Sequence, residues 1–173
     1  MKLLIAIICL LIFPVKAKAS TIPELIEKTT LYLIKTWYAD ENLKDWYPPQ
    51  VITVPSGTRV FGGGCEGSNE GFDVAGSYYC SPDHTIILDP TQLKTFIKAF
   101  GNSSVAYVVA HEFAHALQNA LEIRLKAPNH ELQADCLAGY FIQKGNKELE
   151  ITRENILEMS STAYAIGDKT HGT

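Results

Sequence analysis

The stretch His111-Glu112-Phe113-Ala114-His115 places two histidines four residues apart, with a glutamate between them, and it decides the predicted fold. Four residues advance an α-helix by just over one turn, so both imidazoles leave the same helix face. Two ring nitrogens at this spacing can bind one metal ion, and Glu112 can then reach a water molecule on that ion. For these letters alone, a surface helix that carries two histidines by chance is the alternative interpretation.

A second pair of ionisable residues follows in the segment 131–135 (ELQAD), which places two acids on one face of another predicted helix. A catalytic zinc ion takes three protein ligands and leaves one position open for water. Glu131 is therefore predicted to be the third ligand, and Asp135 to accept the free N–H of a liganding histidine. Asp135 as the direct ligand and a solvated acidic helix face are the two alternatives.

The neighbours of these acids argue against a solvated face, because the segment is rich in apolar and small residues and is predicted to be largely buried. These neighbours are Leu132, Ala134, Cys136, Leu137, Ala138 and Gly139. Cys136 is expected to be a small buried hydrophobe rather than a metal ligand. His130 precedes Glu131 but points about 100° away from it on an ideal helix. It is therefore a candidate for a position outside the ligand set.

These motifs resemble the family of putative neutral zinc metallopeptidases, within the gluzincin branch of the zincins. The resemblance rests on segments 111–118 (HEFAHALQ) and 131–139 (ELQADCLAG), and it extends to residues 78–89 and 165–173. It implies Zn²⁺ as the cofactor, Glu131 as a metal ligand and Glu112 as the general base. The longer zincin pattern with a third histidine is excluded, because Gln118 and Leu121 stand where it needs Gly and His.

The predicted activity is an endopeptidase that hydrolyses peptide bonds with a zinc-activated water, for which Glu112 is the base. The substrate is a peptide or protein. The oxyanion of the tetrahedral intermediate also needs a donor, and His171 and Tyr140 are candidates, beside Tyr164 and His130. By resemblance to zincins, the segment 78–88 is expected to be an edge strand that pairs with an extended peptide.

Two other functions are compatible with the same residues. One is a zincin-scaffold protein that binds or assists assembly and cleaves weakly or not at all; it is suggested by the end of the chain at Thr173, where family members usually continue. The other is a purely structural metal site. Glu112 argues against the structural site, because a structural zinc ion has no use for an unliganded carboxylate beside it.

The N-terminal residues predict export. Lys2, an apolar stretch over residues 3–15 and the small residues around Lys18 are typical of a cleaved signal peptide. Thirteen apolar residues are too few to span a bilayer, which takes ~20; an uncleaved anchor or a buried helix is the alternative. The predicted organisation is a signal peptide over residues 1–19 and one metallopeptidase domain over residues 20–173, secreted or periplasmic, with no stable membrane anchor after cleavage.

Composition excludes one class of partner. Without residues 1–19, the chain has 12 basic and 19 acidic residues, a net charge of −7. This acidic balance argues against a nucleic-acid partner. It does not predict an oligomeric state.

Three cysteines remain in the mature chain: Cys65, Cys80 and Cys136. In an oxidising compartment, a Cys65–Cys80 disulfide is the natural pair, because it would close a glycine-rich loop. The other two pairings stay open.

The periodicity of the chain predicts an α+β, zincin-like single domain in which a small twisted antiparallel or mixed sheet packs on the metal-binding helix. Residues 51–54 and 58–61 are expected to be two strands joined across Pro55-Ser56-Gly57, and residues 78–80 and 85–89 to be extended. The predicted helices are 20–39, 91–100, one beginning near Asn102-Ser103-Ser104 and ending near residue 122, 128–143 and 152–166.

Overall fold

The computed structural model describes residues 20–60 and 71–167, which form five helices and five short strands. The helices are α1 (Ile22–Tyr38), α2 (Pro90–Phe100), α3 (Ser103–Ala120), α4 (Asn129–Lys144) and α5 (Arg153–Ile166). The strands are β1 (Gln50–Thr53), β2 (Arg59–Val60), β3 (Phe72–Asp73), β4 (Tyr78–Cys80) and β5 (Thr85–Leu88). The α+β fold with a small mixed sheet is confirmed.

The main sheet has three strands in the order β1-β5-β4. β5 runs parallel to β1 and antiparallel to β4, so β4 lies at an edge. The predicted pairing of residues 51–54 with residues 58–61 is wrong. β1 pairs instead with the distant β5, whereas β2 pairs with β3 in a separate two-stranded sheet. β5 is buried along its whole length, and burial there favours the non-local pairing over a local hairpin.

α3 is the centre of the fold. Sixteen of its 18 residues are buried, so it is covered on all sides rather than on one apolar stripe. It contacts the other four helices and strands β4 and β5. The residues that carry the metal motif therefore lie on the most rigidly packed element of the described chain.

Capping boxes fix the starts of two helices. Thr21 and Glu24 form a capping box at the start of α1, and Thr152 and Asn155 form another at the start of α5. Asn102 stands at the cap position of α3, as predicted, but its side chain makes no capping hydrogen bond. The backbone there is helical, which points the amide away from the first turn.

Some predictions fall on residues that the structure does not describe. The signal peptide, Cys65 and His171 lie outside the described residues, so export, the Cys65–Cys80 disulfide and the role of His171 stay predictions. Within the described residues, no helix is both long and apolar enough to cross a membrane.

Candidate metal centre

Three side chains from two helices converge on one point. The Nε2 atoms of His111 and His115, one turn apart on α3, lie 3.0 Å from each other. Glu131 on α4 brings its Oε2 atom to 3.1 Å from Nε2 of His115 and 3.3 Å from Nε2 of His111. All three side chains are at most 17% exposed. The structure thus brings together the three predicted ligands.

The spacing of these atoms fits zinc. Two ligand atoms of a tetrahedral zinc ion, each bound at ~2.0–2.1 Å, lie about 3.3 Å apart. The three distances here range from 3.0 to 3.3 Å. An ion at the centre of the triangle would need each side chain to move by only a few tenths of an ångström. Two imidazoles and one carboxylate are also a donor set that zinc prefers.

Asp135 orients the first histidine. Its Oδ1 atom lies 2.8 Å from Nδ1 of His111, one helical turn after Glu131, and it also accepts a hydrogen bond from the hydroxyl of Tyr107. A carboxylate can only accept, so Nδ1 of His111 carries a proton, and Nε2 is the atom that would bind a metal ion once it has lost its own proton. Tyr107 was not predicted. The signal for it was present, because it stands four residues before His111 on the same helix face.

Gln118 orients the second histidine, and it too was missed from the sequence. Its Oε1 atom lies 2.8 Å from Nδ1 of His115. Its amide nitrogen donates to the carbonyl of His130 and to Oε1 of Gln133, at 2.8 and 3.0 Å. Because the amide nitrogen of Gln118 already donates to two acceptors, its Oε1 atom accepts the proton on Nδ1 of His115. Nε2 of His115 then presents a lone pair. A glutamine three residues after His115 lies on the same helix face, which was the available signal.

Electrostatics favour the close approach of His111 and Glu131. Burial opposes the charged form of His111, but its hydrogen bonds to Asp135 and Glu131 outweigh that effect and raise its pKa to about 10. Burial also acts to raise the pKa of Glu131, but hydrogen bonds from His111 and His115 hold it below its ordinary value. A proton on His111 therefore supplies positive charge where a metal cation would supply more.

Burial makes Glu112 a stronger base than an exposed glutamate. Its side chain is buried, and desolvation raises its pKa above that of an ordinary glutamate. His111, His115 and the backbone of Tyr79 oppose the rise. Glu112 also lines a cleft of about 1020 Å³ that contains the three converging side chains. A basic carboxylate beside a metal position is the arrangement that general-base catalysis requires.

Edge strand β4 forms one wall of this cleft. Tyr78 and Tyr79 of β4 line it, together with Ser77 and Ser81 at the two ends of the strand. The connection between α3 and α4 and the start of α4 also line the cleft. The segment expected to pair with an extended peptide therefore borders the metal position.

The remaining candidates lie in different places. The ring of His130 stacks on that of His115, with centroids 4.9 Å apart, and lies outside the converging triangle. Tyr140 is 54% exposed, contacts Phe141 and Lys144, and does not line the cleft. Tyr164 is 77% exposed and does not line it either. The structure thus brings neither tyrosine to the metal position.

The expectation that Cys136 is buried is wrong, because it is a free and exposed cysteine. Leu132 is also exposed, while Ala134 and Ala138 are buried. α4 is therefore amphipathic rather than buried throughout. It turns Glu131 and Asp135 toward α3 together with its alanines, because small residues allow the two helices to approach closely.

Comparison with known proteins supports the same interpretation. The chain is 27% identical over 144 residues to protein YpfJ of Escherichia coli K12, an alignment that covers 72% of this chain and 48% of that protein. It is 31% identical over 118 residues to protein Rv2575 of Mycobacterium tuberculosis H37Rv, covering 54% of this chain and 40% of that protein. The chain spans about half the length of these relatives or less. No solved structure matches it significantly.

A family model described as "Putative neutral zinc metallopeptidase" matches residues 37–130. The match includes His111, Glu112 and His115 and ends one residue before Glu131. It covers more than half of the chain. The chain therefore belongs to the putative neutral zinc metallopeptidase family.

Proposed function

We propose that this protein is a zinc-dependent endopeptidase in which His111, His115 and Glu131 bind the metal ion and Glu112 is the general base. The observation that carries the proposal is the orientation of the two imidazoles. Asp135 and Gln118 accept the Nδ1 protons, so both Nε2 atoms face Glu131 and are the ring atoms available to a metal ion. Two imidazole nitrogens and one carboxylate oxygen that converge on one point are a donor set that zinc prefers.

Bound zinc supplies a Lewis acid that lowers the pKa of water from 15.7 to about 7. Glu112 takes the proton of the attacking water, and its desolvated carboxylate is a stronger base than an exposed glutamate. Its carboxyl group then passes that proton to the departing amine. Asp135 keeps the imidazole of His111 in the required tautomer throughout.

The edge strand supports a peptide as the substrate. Among the described strands, β4 pairs only with β5, and Tyr78 and Tyr79 of β4 line the cleft that contains Glu112. An extended peptide that adds to this edge would pass beside the metal position with its carbonyls in reach. This mode of binding depends on backbone hydrogen bonds and does not define a sequence preference.

Export is part of the proposal. The charged and apolar residues 1–19 support delivery to the periplasm or the medium through a cleaved signal peptide. N-terminal sequencing of the mature protein tests it, with Ser20 as the expected first residue. A protein that retains residues 1–19 after secretion would contradict it.

The test of the activity is Glu112→Gln, compared with the wild type in the zinc-loaded state. Loss of the base is expected to lower kcat/KM on casein-derived peptides by about 10²- to 10⁴-fold, with one zinc ion per chain retained. Chelation should abolish cleavage by the wild type, and added zinc should restore it. Cleavage by the variant at the wild-type rate would eliminate Glu112 as the base. Stoichiometric zinc without any cleavage by the wild type would instead favour a binding or assembly protein on this scaffold.

A further inference from the structure

The charged residues that line the cleft fall into two groups. Glu112, Glu131 and Asp135 all lie at the metal position. Among the described residues, the other lining side chains with a permanent charge are Arg124 and Lys126, on the connection between α3 and α4. Among the described residues, no acidic side chain lines this end of the cleft.

This connection is held in place at both ends. Glu122 adopts a left-handed backbone conformation (φ 53°) that turns the chain at the end of α3. The backbone N–H of Ile123 donates to the carbonyl of Gln118 at 2.8 Å, and that of His130 donates to the carbonyl of Lys126 at 3.2 Å. Because Gln118 also binds the carbonyl of His130, the residue that orients His115 fixes this segment too.

Neither cation is neutralised by the described part of the protein. Arg124 contacts only the carbonyl of Ile123, at 3.4 Å, and neither Arg124 nor Lys126 forms an ion pair with a described carboxylate. Elsewhere, Lys28 pairs with Glu150 and Lys35 with Glu148. In an acidic protein with 19 acidic residues, two unpaired cations at one end of the cleft form a local positive region.

We propose that Arg124 and Lys126 bind a carboxylate of the substrate, so that the cleft prefers peptides with an acidic side chain or a free C-terminus at that end. The guanidinium of Arg124 presents a planar fork that matches a carboxylate, and the ammonium of Lys126 adds a mobile point charge. The proposal rests on the proposed function only in taking a peptide as the ligand. It adds a preference that the edge strand does not supply.

Binding, rather than cleavage, tests this preference. Zinc-loaded full-length Glu112→Gln is titrated with fluorescent Ala/Ser peptides in which a single Glu is moved through each position, and with matched peptides that carry Gln. Exposed ion pairs contribute little, so at the best position we expect the Glu peptide to bind roughly 3- to 10-fold more tightly than its Gln counterpart. Added salt should reduce that ratio.

Two sets of substitutions test whether Arg124 and Lys126 cause the preference for the Glu peptide. Arg124→Gln with Lys126→Gln should bring the ratio close to one, whereas Lys94→Gln with Arg153→Gln should preserve it. The control removes the same charge from exposed positions outside the cleft. Amidation of the peptide C-terminus separates the two sources of the carboxylate. Weaker binding of an amidated peptide than of the same peptide with a free terminus, with no such difference in the Arg124→Gln, Lys126→Gln variant, assigns the contact to the terminus. A Glu preference that amidation leaves unchanged assigns it to the side chain.

Equal binding of the Glu and Gln peptides at every position together with no effect of amidation, or a preference that survives removal of both cations, would overturn the proposal, as would absence of any peptide binding. A wild-type protein that cleaves nothing while the acidic preference persists would refute the proposed activity and leave this inference standing.

Discussion

Two histidine clusters of this protein differ in what their ring nitrogens contact. In the metal cluster (His111, His115 and Glu131), each Nδ1 is bound by an acceptor, and both Nε2 atoms face a shared carboxylate. In the second cluster, which is centred on His84, both ring nitrogens of that histidine contact uncharged groups. Its Nδ1 lies 2.7 Å from the hydroxyl of Tyr79, and its Nε2 lies 2.7 Å from the carbonyl of Tyr47.

The two clusters also differ in their aromatic and charged neighbours. The rings of Trp37, Trp46 and Tyr79 have centroids 5.8–5.9 Å from that of His84. No described carboxylate forms an ion pair with it, whereas His111 has two such partners. The presence of a histidine therefore does not by itself indicate a metal site. The partners of the ring nitrogens decide whether a lone pair is left for a cation.

Removal of a metal ligand should lower zinc affinity more than any other substitution. Binding of structural zinc is worth ~10–16 kcal/mol over four ligands, so loss of one should cost about 3 kcal/mol, or roughly 100-fold in affinity or more. His115→Ala is therefore expected to weaken zinc binding by at least that factor, measured by competition with a chromophoric chelator. His130→Ala is the matched control, because its ring stacks on His115 without joining the triangle. Equal losses in the two variants would make His130 a ligand.

Removal of a residue that orients a liganding histidine should lower zinc affinity by a smaller factor. Asp135→Ala leaves the three ligands in place but frees the Nδ1 proton of His111, and such partners typically contribute 10- to 100-fold in metal affinity. Tyr107→Phe removes only the hydroxyl that donates to Asp135, so a loss of a few-fold is expected. Glu148→Ala removes an acidic side chain outside the cleft and should change nothing. Wild-type affinity in Asp135→Ala would show that packing alone orients His111.

The proton on His111 makes zinc affinity depend on pH. Zinc binds the neutral imidazole, so binding must release the proton that a pKa of about 10 retains at neutral pH. Apparent affinity should then rise with pH by up to 10-fold per unit, and the rise should continue above pH 7. Calorimetry in buffers of different ionisation enthalpy measures the released proton. An affinity that levels off near pH 6.5, the ordinary histidine value, would show that Asp135 and Glu131 do not raise the pKa.

The local parts of the site could be predicted from the sequence. His111 and His115 share a face because an α-helix repeats every 3.6 residues, and the same rule places Asp135 one turn after Glu131. The capping residues Thr21 and Thr152 follow from equally local chemistry. Such predictions succeed because only a few neighbouring residues determine the outcome.

Non-local features could not be predicted in the same way. The parallel pairing of β1 with β5 joins Gln50 to Thr85, and no local signal favours it over the expected hairpin across Pro55-Ser56-Gly57. The exposure of Cys136 depends on which face of α4 meets α3, and alanines at 134 and 138 decided that contact. Gln118 was missed although it lies near His115, because its role depends on carbonyl and amide groups of α4.

Substitution at the second cluster should affect zinc binding least. His84→Phe keeps an aromatic ring among Trp37, Trp46 and Tyr79 but leaves the Tyr47 carbonyl and the Tyr79 hydroxyl without this partner. Each unsatisfied group costs ~1–3 kcal/mol when buried, and these groups are partly exposed, so the free energy of unfolding should fall by about 1–2 kcal/mol. Urea unfolding of the metal-free protein measures the loss, because bound zinc would add its own stabilisation.

Zinc affinity in His84→Phe should stay within about 2-fold of the wild-type value, because no ligand or orienting group contacts this ring. Tyr47→Phe is the matched control, since it removes an exposed hydroxyl and retains the backbone carbonyl that His84 contacts. Tyr79 contacts both clusters: its hydroxyl lies next to His84, and its backbone forms a hydrogen bond with Glu112. A zinc affinity that falls in His84→Phe as far as in Asp135→Ala would mean that the two clusters act as one unit, and that the contrast in their partners does not separate their roles.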